Sequence, residues 1–466
     1  MSGEATLRRS LSTRDLIVYG LLFIGPTAPI SIFGVLDAKS FGATALVFVV
    51  ATVAMGFTAW SYARMSAAVP RAGSVSAYAA AGLGRFPGFL AGWMAGLDYL
   101  FIPSVAALFT GIATHSLVPA LPQWLTTGVA IVVFTGLNLA GVRIAARVGL
   151  VMLAVEIIVL ALFVAGAIVV LVQHGPARGW LTPLTSNGNF VPTAVLSAVS
   201  VAVLSFLGFD AIAGFAEENT GSPRQIGRAL LFCLVLAGLL FVVQTYLADL
   251  ISTVSPARLA ADPDAQGGAF FTIVRSAIGG WLGTTVSAVK AVGPVFSALV
   301  AQAAASRLLY GMSRQGQLPA WLGRVQARTR TPLTATLVSA GATLVIAVWA
   351  ATRSDGLDVL SSMVTVGALT AFVLLHASVV GYFLVRTKQK RFGVWVAVPV
   401  AGAAIIIALL VEASRPALVV AAVWLVIGVL VTLVYRRSVH QEVQPVEPEG
   451  VVPVAQAGDE VHDQHR

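Results

Sequence analysis

Charge is what this sequence has least of. Asp, Glu, Lys and Arg make up 11% of its 466 residues, and hydrophobic residues 58%; soluble domains carry about 25% and about 45–50%. A chain this apolar cannot cover itself with a polar shell. That excludes a cytosolic enzyme, a nucleic-acid binder and a disordered protein together. Cysteine is nearly absent: Cys233 stands alone inside an apolar run, so a disulfide within the chain is impossible and it reads as a small buried apolar residue. No Cys/His cluster has metal-ligand spacing, and no HExxH, GxSxG or paired-aspartate motif lies on the apolar runs. Neither a metal, a cofactor nor enzymatic chemistry is expected.

What is present is apolar runs of membrane-spanning length. A hydrocarbon core about 30 Å thick takes roughly 20 apolar residues in a helix. Twelve such runs are read at about 16–37, 43–67, 86–115, 124–141, 149–173, 192–218, 227–251, 281–311, 332–351, 357–385, 394–412 and 416–435. The first follows Arg8, Arg9 and Arg14 but is too long for a signal-peptide core, so it is read as an uncleaved helix. The net charge of +9 would suggest nucleic acid in a soluble protein. Here the basic residues lie between the runs and orient them. With the N-terminus inside, 22 of the 29 Lys and Arg fall on the inner side, six on the outer side, and Lys290 inside a span. That asymmetry places both termini in the cytoplasm. Residues 1–15 are an N-terminal segment, 74–83 an inner-surface helix, and 255–280 an outer surface or re-entrant segment with the apolar patch Ala269-Phe270-Phe271. Residues 436–466, acidic and proline-containing beyond Gln441, are read as a disordered cytoplasmic tail.

Two spans are interrupted near mid-depth. The first carries Gly25-Pro26-Thr27-Ala28-Pro29, the sixth Phe206-Leu207-Gly208-Phe209-Asp210. Each proline removes a donor and costs about 3 kcal/mol in a helix interior, and freed backbone is tolerated in a membrane only where it is buried or lines a cavity. Five spans separate the breaks, an odd number, so the second copy enters from the opposite side. This is the signature of an inverted-repeat transporter with its substrate between the repeats. Residues 16–173 and 192–385 form the repeats, and 394–435 carries two further spans.

Ionisable residues inside the membrane are functional candidates by default. Asp98 in span 3, Glu156 in span 5 and Lys290 in span 8 are the coupling candidates. Asp98 and Lys290, on equivalent spans of the two repeats, are expected to pair, and Asp249 at the end of span 7 to reach outer water. Asp210, at a break, suits an ammonium group, a proton or a helix cap. Glu217 and Glu218, with Arg224 and Arg228, suit a gate or a surface ion pair.

Three stretches carry a resemblance: Ser205 to Ala211 continuing to Glu217-Glu218 and Pro223-Arg224; Ser306-Arg307-Leu308-Leu309-Tyr310-Gly311-Met312 continuing to Leu318-Pro319 and Thr331-Pro332; and Arg64-Met65 to Pro70-Arg71-Ala72-Gly73-Ser74. Across roughly 12–435 the chain resembles the amino acid–polyamine–organocation superfamily. Leu97-Asp98-Tyr99-Leu100 with Pro103 is similar to its putrescine-importer-like branch. The resemblance implies an all-α membrane protein of the LeuT type, with five-plus-five inverted repeats, discontinuous spans 1 and 6, alternating access, and coupling to protons or exchange. The chain departs from it twice. A proline-containing break stands where many members present glycine amides to a substrate carboxylate, and Glu156 stands near where proton-coupled members often carry lysine.

These readings converge on a permease in the cytoplasmic membrane that moves amino acids or polyamines by symport or exchange. A channel or receptor on the same helices is the alternative. Its substrate is expected to meet Gly25, Pro26, Thr27 and Ala28 from span 1 and Phe206, Gly208, Phe209 and Asp210 from span 6. Its partners are the substrate, a proton and the lipid bilayer, with no nucleic acid. A break poor in amides opposite a carboxylate favours a substrate whose positive end dominates recognition.

Overall fold

A computed structural model describes residues 12–69, 74–140, 142–188, 190–214, 220–314, 318–325, 332–389 and 391–436. The tail from 437 onward, Glu217 and Glu218 lie outside the described residues. Within them every regular element is helical, as hydrocarbon requires of a chain that must satisfy its backbone hydrogen bonds within each segment.

Helices α1 (Thr13–Ile24) and α2 (Ala28–Ser40) are the halves of the first span, bent by 42° at the first break. Ser12 starts α1 with a capping box: its hydroxyl accepts from Asp15 N–H, and the Asp15 carboxylate accepts from Ser12 N–H at 2.9 Å. Next come α3 (Thr44–Ala68), the short α4 (Ser74–Leu83) at the position expected for a surface helix, α5 (Arg85–Leu117), α6 (Gln123–Ala140) and α7 (Val142–His174). A loop with the one-turn α8 (Thr182–Thr185) leads to α9 (Pro192–Ala202), which unwinds before α10 (Ala211–Gly214). The remainder is α11 (Pro223–Ile251), three short helices α12 (Pro256–Ala261), α13 (Pro263–Gln266) and α14 (Ala269–Ala277), then α15 (Gly280–Arg314), α16 (Leu333–Ala351), α17 (Gly356–Val380), α18 (Val398–Val411) and α19 (Arg415–Arg436).

Among the described residues ten helices are long and apolar enough to cross a bilayer, and the bent α1–α2 pair makes up to eleven. Twelve were expected. The difference is α6, whose 18 residues span roughly 27 Å at 1.5 Å per residue. Its far end is polar, because Asn138 is buried there and donates to Leu299 O at 3.0 Å and Gln302 Oε1 at 2.7 Å.

The long α5 lies against α15 and α17, and α3 runs along α11. The broken spans sit among them: α2 packs on α9, and α1 on α7, α11 and α15. The patch Ala269-Phe270-Phe271 is fully buried. The ring of Phe270 lies 5.7 Å from Phe33 of α2 and 5.0 Å from Phe163 of α7. Gly34 makes this possible, because a Cβ there would collide with the Gln266 backbone.

Asp249 does not reach water. It is buried and held with Asp37 of α2 by Arg178, from the loop after α7. The guanidinium donates to both Asp37 oxygens and to Asp249 Oδ1, each at 2.8 Å, and also to Ser252 and to Val254 O. Thr44 of α3 donates to the other Asp249 oxygen. A helix end that looked solvent-facing is covered because the 175–181 loop folds back over it, with Ala177 N–H bonded to Leu250 O at 2.7 Å. Removing one partner of such a buried set costs about 3–5 kcal/mol. Arg178→Met is therefore expected to lower the detergent melting temperature strongly, whereas Arg353→Met, at an exposed pair, leaves it within about a degree or two.

Candidate functional site

The first break follows from proline chemistry. Pro26 and Pro29 cannot donate to the carbonyls one turn earlier, Leu22 O and Gly25 O. The chain turns instead. Gly25 takes φ 72°, a left-handed conformation suited to glycine, and its N–H bonds to Leu21 O at 2.9 Å while Ala28 N–H bonds to Gly25 O at 2.9 Å. Two carbonyls of the break then take side-chain donors from distant helices. Gln244 Nε2 of α11 donates to Pro26 O at 3.0 Å, and Lys290 Nζ of α15 donates to Thr27 O at 3.3 Å.

The second break begins where α9 tightens into a 3₁₀ turn over Val203–Phe206. Leu207 is extended, and Gly208 has φ 105°. A side chain at 208 would also strike the Phe23 ring of the first span, so the two breaks touch through a position that only glycine can fill. Asp210 Oδ1 accepts Gly208 N–H at 3.3 Å, and its Oδ2 faces the hydroxyls of Tyr99 at 3.3 Å and Tyr62 at 3.5 Å.

A cavity of about 80 Å³ lies between the breaks. Gly25 and Ala28 line it from the first break, Leu204, Ser205 and Leu207 from the second, and Ile102, Val105 and Phe109 from α5, with Glu156, Lys290 and Ser297 completing the wall. A second cavity of about 60 Å³ reaches past Pro26 to Tyr19, Met152 and Gly293. Glu156 lines both. A Cβ at Gly293 would stand 2.6 Å from its Oε1, so a glycine admits the carboxylate against α15. A separate, wider cavity of about 530 Å³ lies at one end of α2, where Lys39 meets Asp358 of α17 at 3.2 Å.

The structure thus brings Gly25, Ala28, Glu156 and Lys290 to one cavity and Pro26 to its neighbour. Thr27 reaches Lys290 through its carbonyl. Phe206, Gly208, Phe209 and Asp210 line neither cavity. Phe206 is fully buried with Phe241 at 5.0 Å, and Phe209 is packed by Tyr62 at 5.8 Å and Phe372 at 6.1 Å. Asp98 and Lys290 do not pair. Asp98 lies near Asp210 and its Oδ1 has no partner, whereas Lys290 faces the cavity. Their spacing along two spans gave depth, but not the helix rotation that points each elsewhere. Sequence reading missed Gln244, Tyr62, Tyr99, Ser205 and Gly293. A lone amide in the apolar seventh span was the one signal that could have found Gln244.

Helices long enough to cross a bilayer, two of them broken around a small cavity that holds a buried Glu156 and Lys290, define a multi-pass membrane transporter rather than an enzyme. The amino acid permease family model matches residues 16–436, and the chain belongs to that family. It is 27% identical over 457 residues to the low-affinity putrescine importer PlaP of Escherichia coli (strain K12), covering 94% of this chain and 97% of that protein. It is 27% identical over 470 residues to the branched-chain amino acid permease BcaP of Bacillus subtilis (strain 168), with 94% and 95% covered. To the gamma-aminobutyric acid permease of Escherichia coli (strain K12) it is 28% identical over 287 residues, 60% of each chain.

The contact between the breaks is testable. Gly208→Val combines a strained left-handed residue, about 1–2 kcal/mol, with overpacking against Phe23, about 1–3 kcal/mol. It is expected to lower thermal stability and abolish uptake of a transported solute into proteoliposomes, and Phe23→Ala in the same chain is expected to restore part of the stability.

Proposed function

We propose that this permease is a secondary active transporter in the cytoplasmic membrane, moving amino acids or polyamines by alternating access, either with protons or by exchange. The observation that carries this reading is the meeting of two helix breaks at one small cavity. Freed backbone of that kind is found where an ion or solute is handled. The cavity is smaller than the roughly 300–1,000 Å³ of ordinary ligand sites, which fits a closed resting state that opens to one side at a time. The relatives named above include carriers of a diamine, of neutral amino acids and of an amino acid with separated charges, so their names support the solute class and not a single solute.

In this reading twelve spans are arranged as repeats over 16–173 and 192–385 with two appended spans, and α6 is the short twelfth. Both termini are cytoplasmic, supported by the 22-to-6 distribution of basic residues. Reporter fusions after Arg436 and at Gly175 are expected to report opposite sides; the same side for both would overturn the twelve-span topology.

Glu156 is the leading coupling group. It faces both cavities, touches the first break and α15, and interacts electrostatically with Lys290. A carboxylate there can exchange a proton as the cavities open and close. Asp98, beside Asp210, is the second candidate. Saturable uptake with counterflow in proteoliposomes tests transport itself, since a channel shows neither. Glu156→Gln is expected to abolish accumulation against a gradient while retaining exchange. Accumulation by the wild type that a protonophore leaves intact would count against proton coupling.

A further inference from the structure

We infer that Lys290 receives a substrate carboxylate, so that the site between the breaks takes a zwitterionic amino acid with a compact apolar side chain in preference to a diamine. This rests on the transporter reading and adds the charge of the solute to it.

The inference starts from a count of donors. A carboxylate buried in a membrane needs hydrogen-bond donors or a cation. The first break offers this cavity no free backbone donor, because Pro26 and Pro29 have no N–H, those of Gly25 and Ala28 are spent on Leu21 O and Gly25 O, and Thr27 does not line it. The second break is also committed: Leu207 N–H bonds to Leu204 O, Phe209 N–H to Phe206 O, and Gly208 N–H to Asp210. The remaining donor of strength on the cavity wall is the Lys290 ammonium. It is 4% exposed and carries three protons. Its contacts in the structure are the Thr27 carbonyl at 3.3 Å and, at 5.9 Å, the centroid of the Phe109 ring. A second donor stands on the same wall: Ser205 Oγ is buried without a hydrogen-bond partner. An ammonium and a hydroxyl suit the two oxygens of one carboxylate.

The acceptors suit an ammonium. Glu156 is the other ionisable group lining this cavity, and Thr27 O is one that Lys290 would release on turning to a substrate. One positive and one negative group across a small cavity match a zwitterion. The rest of the wall, Ile102, Val105, Phe109, Leu204 and Leu207, is apolar and suits an aliphatic side chain. A diamine would bring a second ammonium against Lys290. The carboxylate that sequence reading assigned to a cationic substrate, Asp210, instead faces Tyr62, Tyr99 and Gly208, away from this wall.

The test is competition and uptake with purified protein in proteoliposomes, using four probes: leucine, leucinamide, isopentylamine and putrescine. Leucine is expected to bind best. Loss of the carboxylate in leucinamide or isopentylamine should weaken binding by about tenfold or more, the equivalent of one charge-assisted hydrogen bond. In Lys290→Met the preference for leucine over isopentylamine should collapse towards unity, and in Lys290→Arg it should be largely retained. Wild-type protein that takes up putrescine saturably and prefers it to leucine overturns the inference and leaves the transporter reading standing. Saturable uptake of none of the four overturns both. A Lys290→Met protein that binds probes with the wild-type preference also overturns it. The comparison of leucine with its amide and its amine needs no variant, so the inference remains testable if Lys290→Met does not fold.

Discussion

The missing N–H groups of Pro26 and Pro29 are the constraint on which the rest of the central structure depends. In hydrocarbon a carbonyl that loses its helical donor must find another, and water is not available to supply it. Leu22 O and Gly25 O lose theirs, α1 ends, and in the turn that follows Gly25 O takes Ala28 N–H and Thr27 O takes Ile30 N–H, while the carbonyls of Pro26 and Thr27 are left open to side-chain donors. Gln244 and Lys290 are drawn to them from α11 and α15. An amide and an ammonium are thereby fixed in the middle of an otherwise apolar assembly, and the Lys290 charge has Glu156 nearby.

The second break solves the same problem differently. Gly208 supplies the left-handed turn, and Asp210 satisfies the amide that the turn frees. Its carboxylate is turned towards tyrosines of α3 and α5, so it ties the break to the helices around it. Where Gly208 meets Phe23 the two broken spans are in direct contact, and a movement of one is transmitted to the other through packing that has no slack. At the far end of α2, the Arg178 cluster joins α2, α3 and α11 through Asp37, Thr44 and Asp249. The first span is therefore held at its end and free of regular hydrogen bonds at its centre, an arrangement in which bending concentrates at the break.

Membrane residence, the helical class and the places where helices break were legible from the chain alone, because each follows from local chemistry. Apolar length decides what can cross a bilayer, and a proline or glycine interrupts a helix whatever surrounds it. The short helix at 74–83 and the break residues from Gly25 to Ala28 were found this way. Local chemistry was also enough to mark Asp98, Glu156, Asp210 and Lys290 as costly in lipid and so in need of a partner.

Which partner each one has depended on helix rotation and crossing, which no local pattern encodes. Asp98 and Lys290 sit on comparable spans, yet one faces Asp210 and the other Thr27 and Glu156. Asp249 ends a span, where solvent would be expected, and a loop 71 residues earlier in the chain covers it with Arg178. Asn138, near the end of α6, is satisfied by Gln302 of α15, a partner 164 residues away in the chain. Residue type and spacing established what had to be satisfied, since an unpaired donor or charge costs several kcal/mol wherever it is buried in lipid. The folded chain decided what satisfies it, because a hydrogen bond requires two groups within about 3 Å and only packing brings residues from separate helices that close.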